Sequence, residues 1–168
     1  MSFLCRLAPF QPSDATALAR IFTEPQVREY LGGPMDAQPA AERAQGMIDE
    51  KLPTIWAIRP ADPAAPEQPL LGVIWLRPHH GGADVEISYA LLPEHLGRGY
   101  ATEAVTAGLQ HAFHGLGLTR VVAETQTLNE RSVRLLERVG MSFERELERF
   151  GARQSLYVAT PDGPNVSL

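Results

Sequence analysis

The chain has 168 residues, 44% hydrophobic and 21% charged, which suits one packed domain and is too ordinary a charge content for a disordered chain. A formal charge of -5 lacks the basic footprint of general nucleic-acid binding and leaves room for a cationic or amine partner. The single cysteine, Cys5, closes no internal disulfide and supplies no Cys-based metal site.

No charged-then-apolar leader is read at the start, and no apolar run approaches the ~20 residues of a membrane span, so a soluble cytoplasmic protein is expected. Phe3–Ala8 reads as a first strand, with Cys5 a buried structural thiol. Pro12-Ser13-Asp14 supplies a helix start, with Ser13 or Asp14 as N-cap. Leu18, Ile21 and Phe22 form the apolar stripe of the helix that follows, and Glu24-Pro25 breaks it. A short helix through Val27, Tyr30 and Leu31 should end at Gly32-Gly33-Pro34. Another fits Ala40–Lys51, with Ala44, Met47 and Ile48 on one face.

Ile55–Arg59 reads as a strand. Pro60–Pro69 holds four prolines and reads as an exposed hairpin loop, because the apolar pattern resumes at once on its far side. Leu70–Leu76 is a central strand around Gly72, and His79–Gly82 a surface turn. Asp84–Leu92 is the next strand, where Val85, Ile87, Tyr89 and Leu91 alternate with Glu86, Ser88 and Ala90. Tyr100–Leu116 carries the stripe Ala101, Val105, Gly108, Leu109, Ala112 and Phe113 of a core-facing helix. Arg120–Thr125 is a strand and Asn129–Val139 a helix ended by Gly140. Phe143–Leu147 and Ser155–Ala159 close the fold, and Thr160–Leu168 is a fraying tail. The fold class is therefore mixed α/β in one domain over residues 1–168, with a parallel strand–helix–strand unit from Val85 to Ala123.

One segment carries chemistry. From Ala90 to Ala104 a strand enters a glycine turn that opens straight into a helix. Gly97 and Gly99 permit backbone conformations closed to other residues and a close ligand approach. The helix's first N–H groups lack intrahelical partners and, with the dipole, favour a phosphate there. Arg98 adds positive charge. The segment has no G-x-x-x-x-G-K-[ST] and no full G-x-G-x-x-G, so it is neither a P-loop nor a dinucleotide fingerprint.

The run Val85–Ala104 resembles the acetyl-CoA motif of the GNAT acetyltransferase superfamily. Within it the likeness is to the ribosomal-protein N-acetyltransferase group, the RimJ/RimL type. That group's glutamate strand, proline turn and G-[KR]-G-Y-A-T-E-A are matched by Glu86, Pro93 and Gly97–Ala104. Asn129-Glu130-Arg131-Ser132 and Leu135–Met141 resemble its N-x-x-S…L-E-[KR]-x-G-F block, and Arg6-Leu7 with Pro12-Ser13-Asp14 resembles its opening.

The resemblance implies a mostly antiparallel mixed sheet with a splayed strand pair and helices on both faces. It implies acetyl-CoA as cofactor, with pantetheine along Leu91 and Leu92. The pyrophosphate would lie on the run Gly97, Arg98, Gly99, Tyr100, Ala101 and Thr102, and Asn129 would bond the pantetheine arm. The reaction implied is direct transfer of acetyl to an amine, with the thioester oxygen met by an N–H donor near Leu91.

The amine must lose a proton to attack, and Glu86 is the candidate base; the other reading is a solvated or ion-paired glutamate on a polar sheet face. Many superfamily members carry a tyrosine acid four residues before the last helix's closing glycine, where this chain has Leu136. Ser132 is the remaining candidate, as a group that positions the sulfur or only caps the helix, since a serine is a weak acid. Leu96 replaces a frequent Gln or Arg in the loop, and Met141 a frequent Phe.

His79-His80 reads as a surface turn, and no metal site is expected. His111 and His114 fall on the long helix's polar face. Arg131, Arg134 and Arg138 read as a solvated face; the other reading has Arg134 or Arg138 reaching the cofactor's adenosine phosphate. The acceptor amine, a protein N-terminus or a small molecule, would be chosen by Asp14–Lys51 and Phe143–Ala159. Glu24, Glu29, Asp49 and Glu50 there lean toward a cationic partner. Neither a membrane nor nucleic acid is expected as a partner, and the likeness admits a homodimer. The alternative function is a non-catalytic acyl-CoA-binding or sensor domain of the same fold.

Overall fold

The computed structural model describes residues 3–62, 64 and 68–163. The elements follow in the order expected from the pattern. They are β1 (Cys5–Ala8), α1 (Ala15–Thr23), α2 (Pro25–Arg28), α3 (Ala37–Glu50), β2 (Ile55–Pro60), β3 (Gly72–Pro78) and β4 (Val85–Leu91). There follow α4 (Tyr100–Gln110), β5 (Val121–Gln126), α5 (Glu130–Arg138), β6 (Ser142–Arg149) and β7 (Ala152–Ala159). The strands form one seven-stranded sheet in the order β1-β2-β3-β4-β5-β7-β6. Pairs β1–β2, β2–β3, β5–β7 and β6–β7 are antiparallel, and β4–β5 is parallel as the strand–helix–strand pattern requires. The chain divides into two compact units, one of Met1–Trp75 with Tyr89–Ala104, the other of Leu76–Ser88 with Val105–Leu168.

In the first unit, the stripe Leu18, Ile21 and Phe22 of α1 meets Ala40, Ala44, Met47 and Ile48 of α3. Ile55, Ala57, Val73, Ala90 and Leu92 complete that core, and Trp75 packs against it. A single truncation such as Leu18→Ala in such a core costs about 2–5 kcal/mol. The first strand is shorter than its apolar run, since Phe3 and Leu4 precede it and are exposed. Helix α3 begins earlier than its apolar stripe, at Ala37, and ends where Lys51 turns left-handed at φ 47°.

Asp14 stands at the N-cap position of α1, one of the two residues expected there. Pro12–Asp14 is a 3-10 turn, and Asp14 precedes α1 without capping it through its side chain. Its carboxylate is instead buried, accepting from the Gln11 N–H at 2.7 Å and from Arg59 Nη2 at 2.5 Å. Removing one partner of such a buried pair strands a charge, at about 3–5 kcal/mol.

In the second unit, Val105, Leu109, Ala112 and Phe113 are buried, as are Val121–Ala123 of β5, Leu135 and Leu136 of α5, and Leu156 of β7. The long helix does not run as α-helix to Leu116. His111–Gly115 is a π-helical turn, closed by Leu116 N–H on the His111 carbonyl at 3.0 Å. Gly115 admits it, because a Cβ there would meet the His111 ring at 2.9 Å. Strand β6 carries a bulge between Phe143 and Arg145, and Phe150 and Gly151 form the tip before β7 with φ of 54° and 72°. The proline loop falls partly, and the tail residues 164–168 wholly, outside the described residues.

Candidate active site

The glycine turn is built as a phosphate cradle requires. Leu92 leaves β4 extended, with its N–H on the Leu71 carbonyl at 3.0 Å. Pro93–His95 makes a 3-10 turn, and Gly97 and Gly99 follow at φ +72° and +87°, a region L side chains avoid. A Cβ on Gly97 would meet nothing within 4 Å, so glycine is required there by backbone conformation and not by crowding. Gly97, Arg98 and Gly99 are exposed, and α4 opens at Tyr100. The first N–H groups of a helix find no intrahelical acceptor, and this helix's first turn begins at Tyr100 and Ala101. These residues fit an anionic group: main-chain donors and a helix N-terminus lie at exposed backbone, with exposed Arg98 in the same turn.

Three contacts fix this turn. Glu94 takes Arg20 Nη1 at 2.9 Å, and Arg20 also holds Glu24 at 2.8 Å. The bond from Arg20 keeps the Glu94 carboxyl below its usual range. Glu103, whose motif position invites a cofactor role, turns instead to β1: it accepts the N–H of Leu4 at 2.8 and 3.0 Å and of Cys5 at 3.0 Å. Burial, then the nearby Glu103 charge, pushes the Cys5 thiol up to about 12, as an inert structural thiol should be. Gly72 seats the strand behind the turn, because a Cβ there would meet the Ala90 carbonyl oxygen at 2.3 Å and Leu91 Cα at 2.9 Å. Ala90, Leu91 and Leu92 are all buried, so the strict alternation expected of this strand breaks at its end.

In the second unit, β4 and β5 pair at Val85↔Val121 and Glu86↔Val122, at the start of both strands. Both run on past those pairs, while β5 keeps its ladder with β7 through Gln126↔Gln154. Glu86 is half-buried. It receives one long hydrogen bond, from Ser88 Oγ at 3.4 Å, and makes no ion pair among the described residues. Burial raises its carboxyl above the usual range, His79 opposes that rise, and the Glu124 charge adds to it.

The surface turn expected at His79 is overturned. Its side chain is buried, and Nε2 lies 2.6 Å from Glu124 Oε2, the two side chains 3% and 7% exposed. Gly81 N–H donates to His79 Nδ1 at 3.2 Å, which leaves the proton on Nε2, directed at Glu124. Arg149 Nε stands 3.1 Å from the other Glu124 oxygen, paired by charge without hydrogen-bond alignment. A readable signal for Glu124 exists: it is the one carboxylate inside the apolar strand Val121–Thr125. His79, in a His-His-Gly-Gly turn, gives none.

Asn129 caps α5, its Oδ1 accepting the Ser132 N–H at 3.2 Å. That leaves the Asn129 amide N–H groups to donate elsewhere. Ser132 sits half-buried in the first turn. Leu136 is buried at 1% exposure, so the tyrosine position of α5 is packed with hydrocarbon. His111 and His114 are exposed, and Arg134 pairs with Glu130 on a solvated face at 3.4 Å. Among the described residues, no group of three or more His, Cys, Asp or Glu could hold a metal ion. No helix of the described residues is long and apolar enough to cross a membrane. In the first unit an open groove of about 390 Å³ runs along α1 and α3, lined by Ala15, Ala19, Arg20, Thr23, Ala41 and Gln45. The acidic residues expected to draw a cation do not line it.

A mixed sheet whose fourth strand feeds a positive-φ glycine turn and a helix N-terminus defines an acyltransferase-type cofactor fold. The chain belongs to the acetyltransferase (GNAT) family, whose domain matches residues 5–142. It is 32% identical over 147 residues to the uncharacterized N-acetyltransferase YoaA of Bacillus subtilis (strain 168), covering 82% of this chain and 78% of that one. Among solved structures, a GNAT-family acetyltransferase from Bacillus anthracis superposes with a TM-score of 0.79 at 20% identity, covering 95% of this chain and 96% of the other. A spermidine N-acetyltransferase from Vibrio cholerae, in complex with CoA and spermine, superposes at 0.76 with 17% identity, covering 94% and 95%. The solved structures share the fold, and the family match with the N-acetyltransferase relative supports acetyl transfer to amines.

Proposed function

We propose that this chain is a RimJ/RimL-type N-acetyltransferase, acting as one domain, that moves the acetyl group of acetyl-CoA to a primary amine. The amine is a protein N-terminus or a small molecule, polyamines included. The observation that carries the reading is the turn Gly97–Gly99, with φ of +72° and +87°, running into the N-terminus of α4. When bound, acetyl-CoA supplies the acetyl group as an activated thioester.

The chain's own residues divide the remaining work. The N–H groups of Arg98, Gly99, Ala101 and Thr102, with Gly97 and Tyr100 shaping the run, hold the pyrophosphate. The β4 end, Leu91 and Leu92, lies along pantetheine. The Asn129 amide donates to the same arm while its oxygen caps α5. Glu86, half-buried and in no ion pair among the described residues, takes the amine's proton. Ser132 positions the sulfur. The location in this reading is cytoplasmic, and a homodimer is compatible with it.

The test is a screen of acetyl-CoA turnover over peptides with free N-termini, amino acids and polyamines, alongside CoA-induced thermal shift. A ligand at 100 times its Kd should add roughly 2.7 kcal/mol of stability. Buried Leu136, in place of a tyrosine acid, favours a second reading: an acyl-CoA-binding domain without turnover. A CoA-induced shift with no amine-dependent turnover would select that second reading.

A further inference from the structure

Two carboxylates occupy neighbouring strands of the second unit: Glu86 on β4 pairs with Val122 of β5, and Glu124 stands two residues further along β5 on the same face. Their surroundings differ. Glu124 is engaged on both oxygens, by His79 Nε2 at 2.6 Å and by Arg149 Nε at 3.1 Å. Among the described residues, Glu86 has the Ser88 hydroxyl at 3.4 Å as its hydrogen-bond partner. The engagement is built in: Gly81 N–H fixes the His79 tautomer that donates to Glu124. Gly81 lies against both partners: a Cβ there would stand 2.9 Å from Arg149 Nη2 and 3.1 Å from His79 Cε1. When two neighbouring carboxylates sit in environments this different, their acid–base roles separate.

We propose that His79 is a positioning residue for amine deprotonation. With Arg149 it engages Glu124, and so leaves Glu86 as the carboxylate of this cluster that makes no ion pair among the described residues and accepts the proton. This rests on the reading of Glu86 as the base. In the step, an N–H bond of the attacking amine breaks as an O–H bond forms on a Glu86 oxygen, and the proton passes from there to solvent. The groups whose charge or hydrogen bonding acts on Glu86 are His79 and His80 from the β3–β4 turn, Glu124 from β5 and Ser88 from its own strand. The Glu124 charge opposes ionisation of Glu86, and a donor at residue 79 disperses that charge, so losing the donor and losing the charge act with opposite sign.

The experiment is kcat/KM for an acetylated amine against pH, with KM for acetyl-CoA and Tm, for wild type, Glu86→Gln, His79→Ala, His79→Gln and Glu124→Gln. The amine's own titration is common to all and cancels. His79→Ala should move the acid limb to higher pH, and Glu124→Gln should move it to lower pH. Each shift should be roughly half to one unit, or about three- to tenfold in rate on that limb. KM for acetyl-CoA should be unchanged, and His79→Gln, which keeps a donor for Glu124, should restore the wild-type profile. If His79→Ala does not fold, Glu124→Gln decides alone, since its limb must move down. Lowered Tm with limbs that coincide with wild type, while Glu86→Gln abolishes turnover, overturns the positioning role and spares Glu86. Full turnover in Glu86→Gln removes the base and this inference with it.

Discussion

The glycine turn and the Glu86 cluster are made of different material. The turn acts through main chain: two glycines at positive φ and a helix N-terminus, with Arg98 exposed beside them. The cluster acts through side chains brought from the β3–β4 turn, β4, β5 and the end of β6. A main-chain site demands glycine at fixed spacing and so writes itself into consecutive residues. A side-chain site can be assembled from positions as far apart as His79 and Arg149, each unremarkable in its own stretch. The turn should therefore tolerate loss of its side-chain charge and fail when its backbone is constrained, and the cluster should show the opposite sensitivity.

The largest effect is expected at Glu86. Glu86→Gln should lower kcat by about 10²- to 10⁴-fold, the range of a general base, with KM for acetyl-CoA within about twofold. The same variant carries a stability signature. Because the folded-state carboxyl lies above its usual range, the folded protein holds this proton longer than the unfolded chain. Stability from Glu86 is thus present at low pH and is lost as pH rises through the carboxylate range. Glu86→Gln should raise Tm at neutral pH, with the gain vanishing toward acid. A Tm loss at neutral pH would mean that the glutamate is structural.

Next in size is Gly97→Val. The left-handed backbone costs a β-branched residue about 1–3 kcal/mol, so CoA affinity should fall about five- to 150-fold by titration calorimetry. Open space at that Cβ makes this a clean test of conformation. Asn129→Ala should cost about 1 kcal/mol of stability through the lost α5 cap, and several-fold in CoA affinity. Arg98→Ala should be smallest, about two- to fivefold in CoA Kd and sensitive to salt, because an exposed charge at a helix N-terminus contributes about 0.3–1 kcal/mol. A Gly97→Val effect no larger than that of Arg98→Ala would erase the distinction between the two regions.

The same contrast separates what the sequence discloses from what it hides. Period and punctuation sufficed for the order of elements: Leu18, Ile21 and Phe22 share a helical face, and Gly140 ends α5 at φ +89°. Boundaries slipped where exposure, not polarity, decided, as at Phe3 and Leu4. Asp14 and Arg59 stand 45 residues apart and each has the look of a surface residue, so their buried pairing could not be read locally. Glu103 belongs to the cofactor motif by position and yet anchors β1, which only the three N–H contacts disclose. His79 was hidden twice, by a Gly-Gly turn that mimics surface and by a partner on another strand.

The most direct measurement is release of free CoA thiol from acetyl-CoA on adding each amine of a panel of N-terminal peptides, amino acids and polyamines, in wild type and Glu86→Gln side by side. The account predicts amine-dependent release in the wild type that falls at least a hundredfold in the variant, with CoA binding equal in both. CoA binding in both proteins with no amine-dependent release from either would contradict it.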